Sequence, residues 1–281
     1  MLENRVIFFT GATSGFGLIA ALEFVQLGAN VVITARSVEK FELVRNELQG
    51  KFPNAKGKLD FVICDLSSMK SVALACDEFK KKYSKLDVLI NNAGIWNFSY
   101  RETSDKIEET FQVNLMAPVF INQALHDLLA KSDFAKSIFT ASGLHQGNFN
   151  FDDPEFRNKF SGFRAYRQSK LGIILMTRLY DSLDKKSGIS YYAQHPGMVN
   201  TKLGRDAGWF SNLIFKLMGK SPEKGAQTLI YLVTQDKGNL TSGAYYQNQK
   251  VAQSSKESYN LTTAKRVELL VSQYLQKVYL N

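Results

Sequence analysis

Thr10-Gly11-Ala12-Thr13-Ser14-Gly15-Phe16-Gly17 follows a wholly apolar run at 6–9 and precedes Leu18, Ala21, Leu22 and Val25, which recur at helical spacing. An apolar run stopped by glycines reads as a buried strand of a parallel sheet, and the periodic stretch behind it as a helix. Gly28 stands where a left-handed residue ends such a helix, and 31–33 resumes as a strand. The unit is therefore βαβ, with a glycine-rich first turn. Glycines there let the main chain approach a ligand closely, and the free N–H groups at a helix N-terminus attract anions. Gly11, Thr13, Ser14, Gly15, Phe16 and Gly17 are the candidate phosphate-binding turn.

Working outward, strands are predicted at 61–63, 88–90, 137–140 and 190–193, with helices at about 69–83, 107–120 and 166–183. Regular strand–helix alternation implies an α/β fold: one Rossmann-type, doubly wound parallel sheet with helices on both faces. No linker or low-complexity tract divides the chain, so 1–281 is expected to be one domain. The rhythm breaks at 202–220, where Trp209, Phe210, Leu213, Ile214, Phe215, Leu217 and Met218 crowd between basic residues. That stretch reads as a substrate-side insertion: a lid, a pair of helices packed on the sheet or, third, a surface-seeking amphipathic helix.

Apolar residues make up 44% of the 281 and charged residues 22%, enough for a large core and no case for disorder. The formal charge of +9 comes from scattered basic residues. The run Lys80, Lys81, Lys82 and Lys85 suits a solvated helix end, with no aromatic interleaving of the kind nucleic-acid surfaces show. No nucleic-acid partner is therefore expected, and an anionic dinucleotide is the better reason for some of this charge. Two cysteines, Cys64 and Cys76, make no disulfide framework and fit a reducing compartment, so a cytoplasmic location is expected. No run of eighteen apolar residues occurs, so an integral membrane span is not expected. His126, His145 and His195 show no metal-ligand spacing, read as surface or turn residues, and no metal is expected.

About twenty positions beyond the glycines, where a carboxylate would hold the ribose of NAD, the second strand ends Thr34-Ala35-Arg36-Ser37. An arginine at that point pairs with a 2′-phosphate, so NADP(H) is the expected cofactor. Tyr166 and Lys170 lie four residues apart on a predicted helix, on one face. An ammonium beside a phenol favours the phenolate and lowers its pKa toward a useful range for proton transfer.

The spacing T-G-x-x-x-G-x-G at Thr10, Gly11, Gly15 and Gly17, together with Y-x-x-x-K, resembles the short-chain dehydrogenases/reductases of the oxidoreductase branch. The resemblance runs from about residue 6 to residue 201. It implies that Asp65 meets the adenine, that Leu66 beside it binds the cofactor, and that Asn92, Ala93 and Gly94, in Asn91-Asn92-Ala93-Gly94, support the cofactor and the sheet. It implies that Pro196 and Gly197 turn over the nicotinamide and that Val199 and Thr201 after them contact the cofactor. Ser142, Tyr166, Lys170 and Asn114 correspond to the family's catalytic set, Asn114 through a water-linked relay to the lysine. Tyr166 and Lys170 also touch the cofactor. Ser142 and Tyr166 stand 24 positions apart, leaving an aromatic and charged stretch between them that looks like an insertion near the substrate. Together with Phe151 to Asp153, these motifs look most like the retinol dehydrogenase-like branch.

The function so implied is NADP-dependent hydride transfer between nicotinamide and the carbonyl or alcohol of a lipophilic molecule. The competing reading is a non-catalytic redox-sensing regulator on the same scaffold, which would be expected to lose Tyr166 or Lys170. A homodimer or a homotetramer is compatible with either.

Overall fold

The structure is a computed structural model, and it describes residues 2–197 and 221–280. Five strands alternate with helices from the start: β1 (Val6–Thr10), α1 (Gly15–Gln26), β2 (Asn30–Ala35), α2 (Val38–Lys51), β3 (Lys58–Ile63), α3 (Met69–Lys82), β4 (Val88–Asn91) and β5 (Lys136–Thr140). Between β4 and β5 lie α4 (Glu109–Phe111), a π-helical turn (Gln112–Met116), α5 (Ala117–Ala124) and α6 (His126–Leu129). The long α7 (Gly162–Leu183) leads to β6 (Ser190–His195), and α8 (Pro222–Thr234), β7 (Tyr245–Gln247), β8 (Lys250–Val251) and α9 (Leu261–Leu280) complete the described chain.

The strands form one sheet in the order β3-β2-β1-β4-β5-β6-β7-β8, parallel except for the terminal β7–β8 hairpin. Asn248 and Gln249, with φ of 51° and 64°, close that hairpin in the positive-φ pair that matches strand twist. Successive residues of β1 serve opposite faces of the sheet. Ile7 and Phe9 join a core with Ala21 and Val25 of α1 and Leu229 of α8. Val6 and Phe8 join another with Val72 of α3, Ile174 of α7 and Val271 of α9. Both faces are thus covered by helices, as the alternation implied.

Local chemistry accounts for the boundaries that sequence periodicity misplaced. α7 begins at Gly162 because the Ser161 hydroxyl caps it, accepting from Arg164 N–H at 3.5 Å, so Tyr166 lies in the second turn rather than at the start. The helix expected at 107–120 starts at Glu109, where the Glu108 carboxylate accepts from the amides of Thr110 and Phe111. The segment 202–220, with the lid, helix pair or surface helix expected there, lies outside the described residues.

Candidate active site

The switch point between β1 and β4, where the strand order reverses, collects the first site residues. Thr10 Oγ1 accepts from the amides of Asn92 (3.0 Å) and Ala93 (3.2 Å), fixing the β4 turn against the glycine turn. Gly11 (φ +74°) and Gly15 (φ +60°) occupy left-handed backbone. Gly17 needs its missing side chain for a different reason: a Cβ there would stand 2.3 Å from Gly11 O. Ser14 precedes α1 without capping it and no acidic residue sits in its first turn, so the amides there are left to an anion.

A chain of side-chain hydrogen bonds runs across the strand ends. Gln194 Nε2 donates to Thr140 Oγ1 (2.8 Å), which donates to Asn92 Oδ1 (3.0 Å), while Asn92 Nδ2 donates to Gly11 O (3.0 Å). It welds β6, β5, β4 and the turn after β1 into one floor.

On that floor stand Lys170 and Tyr166, both buried. Lys170 Nζ donates to Thr140 O at 2.9 Å and lies 5.6 Å from the centre of the Tyr166 ring. A Cβ on Gly94 would lie 3.2 Å from Lys170 Nζ and 3.3 Å from Asn114 Oδ1, so both polar groups flank this glycine. Asn114 occupies the π-helical turn, an irregularity that recurs at functional sites. Its amide brackets Ile95, accepting from Ile95 N–H and donating to Ile95 O, each at 2.8 Å, and donates to Ser169 Oγ at 3.1 Å.

Burial dominates the electrostatics. It brings Lys170 down to about 8 and pushes the Tyr166 phenol up, while a hydrogen bond from Ser142 draws the phenol back. The expected lowering by the lysine is therefore not the leading effect: removing both charges from water outweighs an ammonium that is turned toward Thr140 O. Ser142 Oγ also accepts from Leu144 N–H at 3.1 Å, which leaves its own proton for the phenol side.

The remaining expected residues sit around this centre. Arg36, at the end of β2, is exposed and makes no ion pair among the described residues. Asp65 Oδ1 accepts from Ser67 N–H (3.0 Å) and Ser67 Oγ–H (2.7 Å), beside half-buried Leu66. Pro196 and Gly197 follow β6, Gly197 with φ +87°. Val199 and Thr201 lie outside the described residues.

Sequence reading missed two neighbours. Trp96, two residues past Gly94, stacks on Tyr166 with centroids 4.6 Å apart, and Phe98 stacks on Trp96 at 5.2 Å. No pattern marks a lone tryptophan in a loop as a ring partner for a helix residue 70 positions away. His145, read as a surface or turn residue, lies in the loop between β5 and α7 but is only 4% exposed. It is buried because both ring nitrogens find main-chain partners, Ser142 O and Ser255 N–H.

The short chain dehydrogenase family model matches residues 5–208. The chain belongs to this family. Its members are oxidoreductases of alcohol and carbonyl groups that bind a nicotinamide dinucleotide. Among known proteins, the chain is 33% identical to human (Homo sapiens) retinol dehydrogenase 14 over 264 residues, covering 88% of this chain and 79% of that one. It is 32% identical to human polyprenol dehydrogenase over 268 residues, covering 92% and 81%. A crystal structure of a Mycobacterium paratuberculosis protein shares the fold, with a TM-score of 0.77 at 24% identity over 98% of this chain and 94% of that one. An alcohol dehydrogenase from the archaeon Thermococcus sibiricus, complexed with 5-hydroxy-NADP, gives 0.64 at 20% over 84% and 92%. The retinol dehydrogenase-like character read from the motifs agrees with these relatives.

Proposed function

We propose that this short-chain dehydrogenase is an NADP(H)-dependent oxidoreductase of lipophilic carbonyls and alcohols, with Tyr166 as proton donor and acceptor. The observation that carries the reading is the convergence of Ser142, Tyr166, Lys170 and Asn114 on the sheet's switch-point floor. The residues fit the dinucleotide. Uncapped amides at the start of α1 suit its pyrophosphate, exposed Arg36 suits a 2′-phosphate, and Lys170 has donors left over for ribose hydroxyls beyond the one given to Thr140 O. When bound, the cofactor supplies the hydride.

In reduction, Tyr166 gives its proton to the forming alkoxide and Ser142 donates a hydrogen bond to the same oxygen. Trp96, with Phe98 stacked on it and Phe163 a ring-centre distance of 6.3 Å away, presents an aromatic wall beside the phenol. Phe98 and Phe163 remain 41% and 47% exposed, more than a core would leave, and this supports an apolar substrate. Retinol and polyprenol, named in the relatives, are long apolar alcohols and support the same class. The cytoplasm is the compartment we propose, because Cys64 and Cys76 are free, buried thiols; recovery of the tagged chain in a membrane fraction would overturn it.

The test is NADPH oxidation against apolar aldehydes, ketones and quinones, with Tyr166→Phe beside the wild type. We expect turnover of at least one member and a loss of about 10²-fold or more in the variant, with NADPH affinity kept. Cofactor binding without any turnover would favour the redox-sensing regulator.

A further inference from the structure

Ser142 is held from behind by its own carbonyl. Ser142 O accepts two hydrogen bonds, from His145 Nδ1–H at 2.7 Å and from Tyr245 O–H of β7 at 3.2 Å. On its other side the His145 ring accepts from Ser255 N–H at 3.0 Å through Nε2, and Ser255 Oγ–H donates to His145 O at 3.1 Å. A carbonyl only accepts and an amide N–H only donates, so these two partners assign a single ring state: neutral, with the proton on Nδ1.

The far end of this bridge is a stiff segment. Arg178 of α7 donates to Ser258 O (2.7 Å), Ser258 Oγ (2.6 Å) and Ser254 Oγ (2.8 Å), and its guanidinium stacks on Tyr259 at 3.7 Å. His145 thus braces the catalytic strand end against a segment that α7 itself anchors.

We propose that neutral His145 is a positioning residue for the reaction, orienting Ser142 through its carbonyl, and that protonating the ring releases the brace. An imidazolium would direct Nε2–H at Ser255 N–H, donor against donor. The groups facing the ring are Tyr245 from β7, whose ring centre is 5.1 Å away, and the Arg178 cation from α7; His195 of β6 stands on the other side of Gly143, accepting its N–H at 3.1 Å. Burial and the Arg178 charge both disfavour the ring's protonation, which lowers its pKa from the ordinary 6.5. The brace is therefore intact at neutral pH and lost as pH falls below that value.

The proposal rests on the function proposed above, and the experiment separates the two. Asparagine places an N–H where Nδ1 stands and glutamine places a carbonyl where Nε2 stands, so the variants divide the bridge. We expect His145→Ala and His145→Gln to lower kcat about tenfold or more, for the panel substrate turned over fastest, with NADPH affinity by fluorescence quenching unchanged. His145→Asn should keep most of the wild-type kcat and lack the acid limb that the wild-type profile shows below pH 6.5. Nitrogen NMR of the wild type at neutral pH should find the proton on Nδ1, a readout needing neither turnover nor a variant.

A proton on Nε2, equal kcat in the asparagine and glutamine variants, or an acid limb of unchanged midpoint and depth in His145→Asn would each overturn the brace while leaving the assignment of Tyr166 standing. Full activity in Tyr166→Phe would instead remove the site reading, and the brace with it.

Discussion

The Trp96 indole lies face to face on the Tyr166 phenol, centroids 4.6 Å apart and planes 13° from parallel. The tryptophan comes from the loop after β4 and the tyrosine from α7, so the stack joins two elements distant in sequence beside the proposed proton donor. Its ring clamps the phenol against rotation away from Ser142. A stacked aromatic pair contributes ~0.5–1.5 kcal/mol beyond its buried area. Trp96→Leu, which keeps an apolar side chain, should lower kcat/KM for an apolar carbonyl by about tenfold without weakening NADPH binding. Steady-state kinetics beside a cofactor titration checks it, and unaltered kcat/KM would show that the stack is only packing.

The proposed preference for NADP(H) rests on one exposed side chain. Arg36 follows the buried residues of β2 and has no ion-pair partner among the described residues, so its charge is unspent. A charge-assisted hydrogen bond is worth ~1.5–3 kcal/mol, and a carboxylate in its place adds repulsion toward a 2′-phosphate. Arg36→Asp should therefore reduce the preference for NADPH over NADH by about a hundredfold. Measuring kcat/KM with both cofactors decides this; a preference that stays put would take the 2′-phosphate away from Arg36.

The doubly wound sheet was legible because strands and helices announce themselves by period, and the glycine turn, Tyr166 and Lys170 because their chemistry is tied to short spacings. What escaped were long-range partners. Trp96 meets Tyr166, and His145 meets Ser255, across 70 and 110 positions, and nothing local records either contact. The direction of the Tyr166 shift escaped as well: adjacency to Lys170 is visible in sequence, whereas the burial that outweighs it is a property of the assembled fold. The elements after 220 escaped too. β7 and β8 are three and two residues long, too short for a period to show.

Gly17 separates intrinsic preference from geometry. It sits in the first turn of α1, where alanine would favour the helix by ~1 kcal/mol. A Cβ there would nonetheless stand 2.3 Å from Gly11 O and 2.7 Å from Asn92 Nδ2, far inside contact distance of the turn proposed to hold the phosphates. The clash should win. Gly17→Ala is expected to lower the melting temperature and to weaken NADPH binding by more than about tenfold, read by thermal denaturation and fluorescence titration. A stabilised variant with intact binding would mean that the turn relaxes freely.

Lys136 offers a stability test remote from catalysis. It begins β5 fully buried, and its ammonium donates to Leu232 O and Val233 O at 3.0 Å each and to Gln235 O, closing the carbonyl end of α8. Burial brings it from the ordinary 10.5 down to about 7. Between those values the unfolded chain holds a proton that the folded one has released, so stability rises with pH across the window and is lost as pH falls toward 7. Lys136→Met abolishes the titration. The unfolding free energy of the wild type relative to this variant should climb by up to about 1.4 kcal/mol per pH unit from about pH 7 upward, and level off below it. Urea unfolding of both proteins along a pH series measures the difference. A flat difference would mean that the three carbonyls hold the ammonium charged, so that hydrogen bonding to the cation outweighs its desolvation.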